Sequence, residues 1–124
     1  LFSAVRSGDL DRAGRILKEG ISIESGDYLG CRALHKAVSN SQLAMAEVLL
    51  QKGANVNAQD HKGYTPLSTA CEIGDIDEDM VKLLLEHKAD TELQTKAGTT
   101  DSLTPLVCAI RAESENVVRV LLNA

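Results

Sequence analysis

The chain has 124 residues, 44% hydrophobic and 25% charged, with 13 basic against 18 acidic side chains for a net charge of −5. That length fits one ordinary domain, and no apolar run approaches the roughly 18–20 uncharged residues that a bilayer-crossing helix needs. The acidic balance weighs against nucleic-acid binding, and two Tyr, one Phe and no Trp leave few platforms for stacking bases.

Cys31, Cys71 and Cys108 lie 40 and 37 residues apart without a CxxC pair. This argues against a disulfide framework or a zinc site and for a reducing compartment. Self-similarity at a period of 33 residues organises the rest of the chain.

Residues 1–26 begin inside a helix, Leu1-Phe2-Ser3-Ala4-Val5. Their second helix has Arg12 and Arg15 where later units have Met45 and Val48, or Met80 and Leu83. Such polarity suits the outer face of an N-terminal capping unit. The unit closes on Ile16-Leu17-Lys18-Glu19-Gly20-Ile21-Ser22-Ile23-Glu24.

Residues 27–59 open with Gly30-Cys31-Arg32-Ala33-Leu34-His35-Lys36-Ala37, a helix start without a side-chain N-cap, which costs about 1 kcal/mol. Leu43, Ala46, Leu49 and Leu50 then give the second helix one apolar stripe, with Gln42, Glu47 and Gln51 left to water. Gly53 ends it, and Ala54-Asn55-Val56-Asn57 follows.

Residues 60–94 repeat the pattern as Gly63-Tyr64-Thr65-Pro66-Leu67-Ser68-Thr69-Ala70, where Thr65 caps the helix and Pro66 suits its first position. The second helix ends at Lys88 instead of glycine, where a left-handed backbone costs roughly 1 kcal/mol, so that end is expected to fray. Residues 95–124 form an incomplete fourth unit around Leu103-Thr104-Pro105-Leu106. It is displaced by 39 residues because of loop insertions at Asp77-Glu78 and within residues 100–103. Val117, Val118, Val120, Leu121 and Leu122 keep interior character, so we expect the chain to be part of something longer. A monomer, or end-to-end contact through this unit, is the expected state.

One such unit holds too few large apolar side chains to offset the entropy of ordering it, so the units must stack. The motifs Gly63-Tyr64-Thr65-Pro66-Leu67 and Gly53-Ala54-Asn55-Val56-Asn57-Ala58 resemble ankyrin repeats, over essentially the whole chain. The resemblance implies an all-α repeat solenoid of stacked helix–turn–helix units with short β-hairpin fingers. Its fingers and first helices would line a concave binding face. The histidine of the family's TPLH motif survives only as His35, with Ser68 and Val107 in its place elsewhere.

On that register the partner-binding positions are Arg6, Tyr28, Leu29, Lys36, Asn40, His61, Lys62, Tyr64, Glu72, Ile73, Lys96, Asp101 and Arg111, with Cys31 and Cys108 also on the face. Five of these are basic and two acidic, a balance of +3 in a chain of −5. This suggests a protein or peptide partner with acidic residues and one or two apolar anchors, held between Tyr28 and Tyr64. The resemblance also implies a possible substrate of an asparaginyl hydroxylase at Asn57, with Leu49 upstream and Asn55 in place of the usual acidic residue.

The acidic run Asp75, Asp77, Glu78 and Asp79 lacks EF-hand spacing and reads as a solvated loop. No catalytic motif, metal-ligand set or cofactor loop is present in the sequence, so no enzyme activity and no cofactor are expected. The expected role is a non-catalytic interaction scaffold in the cytoplasm or nucleus, without direct membrane insertion. The alternatives are an ankyrin-type inhibitor of a kinase or transcription factor, or a regulatory segment of an enzyme or channel.

Overall fold

The computed structural model describes residues 2–24, 26–27, 29–72, 78–93, 104–111, 113 and 115–123. They form four helix pairs: α1 (Phe2–Ser7) with α2 (Leu10–Lys18), α3 (Ala33–Ser39) with α4 (Leu43–Gln51), α5 (Pro66–Glu72) with α6 (Glu78–Glu86), and α7 (Pro105–Arg111) with α8 (Glu115–Leu122). The first helices α1, α3, α5 and α7 stack in one layer, and α2, α4, α6 and α8 in a second.

Side-chain size explains how closely the first helices stack. Ala4, Ala37, Ala70 and Ala109 occupy one register position in the four first helices, and all are fully buried. A column of methyl groups lets neighbouring helix axes approach closely. The second helices meet through larger groups, Met45, Leu49, Met80, Leu84 and Val117 among them. The first-helix layer accordingly packs more closely than the second, and the outer sides of the first helices face solvent.

Helix starts are secured by two different devices. α3 has no N-cap side-chain bond, as expected of Arg32-Ala33, but the Arg32 N–H donates to His35 Nδ1 at 3.0 Å, so the helix start is tied from inside the first turn. With Nδ1 accepting, the neutral ring carries its proton on Nε2, which donates to the Tyr64 carbonyl of the next unit at 2.9 Å. Where His35 is replaced by Ser68, Thr65 takes over: its Oγ1 accepts the Ser68 N–H at 3.1 Å. Thr104 Oγ1 does the same for the Val107 N–H at 3.4 Å.

Lys88 does adopt the left-handed conformation, with φ 67° against 94° at Gly53. Its helix end is nevertheless closed. Ala89 N–H donates to the Leu84 carbonyl and Lys88 N–H to the Leu85 carbonyl, both at 3.0 Å, matching the bonds at Gly53 and Ala54. The expected fraying is thus replaced by a formed cap on a strained residue.

The fingers contain no strand among the described residues; they are tight turns closed by backbone hydrogen bonds. Asp27 N–H donates to the Cys31 carbonyl and Asp60 N–H to that of Tyr64, at 3.1 and 2.9 Å. Neighbouring fingers join through the His61 N–H and the Leu29 carbonyl at 2.9 Å, directly above Gly30. A second column of staples recurs between units. Glu24 Oε1 accepts the Asn55 N–H at 2.8 Å, and Asn57 Oδ1, one unit later, accepts the Asp90 N–H at 2.7 Å. On α4 the apolar stripe is centred on Met45, Ala46, Leu49 and Leu50, while Leu43 at the first turn is exposed.

Candidate interaction face

The candidate face consists of the finger tips and the outer sides of α1, α3, α5 and α7. Arg6, Ser39, Glu72 and Arg111 share one register position, and all four are exposed. Asn40 is exposed beside Ser39, and Leu29, His61 and Lys62 are exposed at the tips. Leu29 leaves 45% of its surface in solvent, making it an apolar contact offered without a partner. Tyr28, Ile73, Lys96 and Asp101 lie outside the described residues.

Each finger is built around an aspartate. Asp27 Oδ1 accepts the N–H groups of Leu29 and Cys31, and Asp60 Oδ1 accepts those of Lys62 and Tyr64, all at 2.9 Å. The second oxygen of Asp27 meets Lys36 Nζ at 2.9 Å. That hydrogen bond from Lys36, with those from the backbone, holds the Asp27 carboxyl below its ordinary value and raises Lys36 in turn. In the next unit Thr69 replaces Lys36, and the outer oxygen of Asp60 instead receives the Cys31 thiol at 3.8 Å.

These aspartates correct the charge balance read from the sequence. On the described face Arg6, Lys36, Lys62 and Arg111 are countered by Glu72, Asp27 and Asp60, so the surplus falls to a single positive charge. Lys36 is no longer a free cation. The two aspartates were overlooked although their spacing of 33 residues and their place in a turn of each finger mark them out.

Tyr64 is the described aromatic group of the face. Its hydroxyl lies 3.5 Å from Glu72 Oε1, a long contact, and burial followed by the Glu72 charge raises its pKa. Cys108 is buried beneath this corner, contrary to the exposure expected of it, and Cys71 is fully buried. Burial raises the pKa of Cys31 and Cys108 and pushes that of Cys71 up to about 12, so all three are thiols rather than thiolates at neutral pH. Among the described residues no group of three His, Cys, Asp or Glu side chains is placed to hold a metal ion.

Asn57 is partly buried. Its side-chain oxygen is engaged with Asp90, and its own N–H donates to Asn55 Oδ1 at 2.9 Å. On the far side of the array, between α6 and α8, an open groove of about 660 Å³ is lined by Leu85, Ala89 and Val120 together with Lys82 and Glu86.

Residues 1–60 and 57–124 each match the family model described as ankyrin repeats, three copies. The chain belongs to the ankyrin repeat family. Ankyrin repeats are in general non-catalytic modules that bind protein partners. Mouse protein phosphatase 1 regulatory subunit 27 is 31% identical over 99 residues, covering 79% of this chain and 63% of that protein. Human 2-5A-dependent ribonuclease is 40% identical over 87 residues, 67% of this chain and 12% of the relative. The ankyrin repeat, SAM and basic leucine zipper domain-containing protein 1 of Dasypus novemcinctus is 34% identical over 121 residues, 95% of this chain and 24% of the relative. The chain spans less than two thirds of the length of each of these relatives. In this ankyrin array the His35 bond to Tyr64 ties one repeat to the next, and no helix among the described residues is long and apolar enough to cross a membrane.

Proposed function

We propose that the chain is a binding module that holds a protein or peptide segment against the concave side of its repeats, without transforming it. The observation that carries this reading is that Arg6, Ser39, Glu72 and Arg111 share one register position and are all exposed, on four first helices that stack through a column of buried alanines. Leu29 and Tyr64 supply apolar and aromatic contact area there, of the kind that anchors interfaces. Tyr28 is assigned to the same surface by register alone, as the second wall of the anchor site.

Two named relatives, a phosphatase regulatory subunit and a ribonuclease, support a role as the regulatory or targeting segment of a larger assembly. Three unpaired thiols and the family's habits support action in the cytoplasm or nucleus. Asn57 remains a proposed hydroxylation position, to be checked by a 16 Da increment on its tryptic peptide; a fully unmodified peptide from the native source removes it.

Affinity capture tests the module directly. A partner recovered with the wild type should be lost when Arg6→Glu, Tyr64→Ala and Arg111→Glu are combined, while the helical circular dichroism is unchanged. Undiminished capture by that variant refutes the assignment of the face.

A further inference from the structure

The first helices present their charges in an order, not as a uniform field. At the shared register position the four repeats read Arg6, Ser39, Glu72 and Arg111, and each is exposed. Of the other charged groups nearby, Lys62 stays exposed at the finger tip and the rest are engaged. Lys36 is bound to Asp27, and the Oδ1 atoms of Asp27 and Asp60 are each committed to two backbone N–H groups. Arg6, Glu72 and Arg111 form no ion pair among the described residues, which leaves them available to a ligand.

We infer that the segment bound on this face carries an acidic, a basic and an acidic residue in fixed order, the basic one seated over Glu72 and Tyr64. This deepens the proposed function and rests on that reading of the concave face. The two outer positions are guanidinium groups, whose planar fork matches a carboxylate through paired hydrogen bonds. The middle position combines a carboxylate with the ring of Tyr64, whose hydroxyl points to that carboxylate at 3.5 Å. Both elements attract a cation, one by its charge and the other by its aromatic face. An acidic residue placed there would instead meet Glu72 directly.

The repeats also set the spacing. Packed helix axes lie about 8–10 Å apart, so Arg6 and Glu72, two repeats apart, are separated by roughly 16–20 Å, and Glu72 and Arg111 by half that. An extended chain advances about 3.3 Å per residue. The basic residue therefore stands about six positions from one acidic residue and about three from the other. A partner with acidic residues and apolar anchors, suggested by the charge count in the sequence, satisfies Arg6 and Arg111 but lacks the cation that the middle position attracts.

A random 16-residue peptide library displayed on phage, panned against the whole chain and against its Glu72→Lys variant, reads this order out. The wild type is expected to enrich acidic and basic residues at the stated spacings, in either chain direction. Replacing the basic residue of a selected synthetic peptide with alanine should weaken binding about 3- to 10-fold by fluorescence anisotropy. Glu72→Lys is expected to enrich acidic residues at all three positions and to bind the original peptide at least as weakly.

Peptides that lose binding to the Arg6→Glu, Tyr64→Ala, Arg111→Glu variant yet show no charge order, or only acidic residues, overturn the inference and leave the binding face standing. Selected peptides that bind that variant unchanged overturn both. Binding indifferent to Glu72→Lys, or a library without any enriched sequence, also overturns the inference. Glu72 is exposed, so retained circular dichroism of Glu72→Lys separates a loss of recognition from a loss of fold.

Discussion

Replacing His35 by alanine should destabilise the array well beyond what its single ring would suggest, because two repeats share that side chain. His35 is 2% exposed and holds two backbone groups, accepting from Arg32 N–H at 3.0 Å and donating to the Tyr64 carbonyl at 2.9 Å. Truncation leaves both without a partner, and a buried unsatisfied polar group costs about 1–3 kcal/mol. The expected loss is therefore about 3 kcal/mol. Ser68, at the same position of the next repeat, shares a hydroxyl contact with Thr65 alone among the described residues, so Ser68→Ala should cost about 1 kcal/mol or less. Urea unfolding followed by circular dichroism at 222 nm measures both. Titration adds an independent check. Burial holds the pKa of His35 below its ordinary value of 6.5, so the unfolded chain binds more protons than the folded one as the solution turns acidic. The wild type should lose stability as pH falls below about 6.5, until the folded-state pKa is passed, and His35→Ala should lack that component. A His35→Ala variant within 1 kcal/mol of wild type, or one with the same pH profile between 7 and 5, refutes the reasoning.

Lys88→Gly should raise stability by about 1 kcal/mol and the melting temperature by about 3–4 °C, because glycine adopts φ 67° without the Cβ penalty; an unchanged Tm would show that no strain is stored there. Gly30→Ala should cost about 2–3 kcal/mol in urea unfolding, since φ is 78° and an added Cβ would lie 2.9 Å from the His61 backbone nitrogen, breaking its bond to the Leu29 carbonyl. A loss below 1 kcal/mol would mean that the fingers do not stack as described. Val38→Ser should cost about 3 kcal/mol, whereas Ile110→Ser, at the corresponding position of the fourth repeat but 56% exposed, should stay within about 0.5 kcal/mol. Equal losses would place a covering element over Ile110.

The helices and their register were legible because stacking forces identical positions to repeat identical chemistry. Thr65-Pro66 and Thr104-Pro105 announce helix starts by side-chain chemistry, and Gly53 announces an end, so the sequence alone located them. Even the left-handed backbone at Lys88 was visible, since its alignment with Gly53 forces it; the closed cap was not, because backbone bonds leave no trace in residue type. His35 was legible as a hydrogen-bonding residue, but its bond to the Arg32 N–H at the start of α3 depends on the placement of Nδ1. The site was read less well. Asp27 and Asp60 look like surface charges until the turn brings their oxygens onto the finger's own N–H groups, and this removes most of the positive surplus. Cys108 misled because the packing around its position differs: Lys36 and Thr69 at the same register are half-buried, the lysine reaching Asp27, whereas Cys108 lies where α7 packs most closely on α5.

Hydrogen–deuterium exchange on the protein alone and with a captured partner tests the central claim most directly. Slowed exchange on binding should fall on α1, α3, α5, α7 and the finger tips around Leu29 and Lys62, and leave α2, α4, α6 and α8 unchanged. Protection confined to the second helices, or to the groove between α6 and α8, would contradict the account.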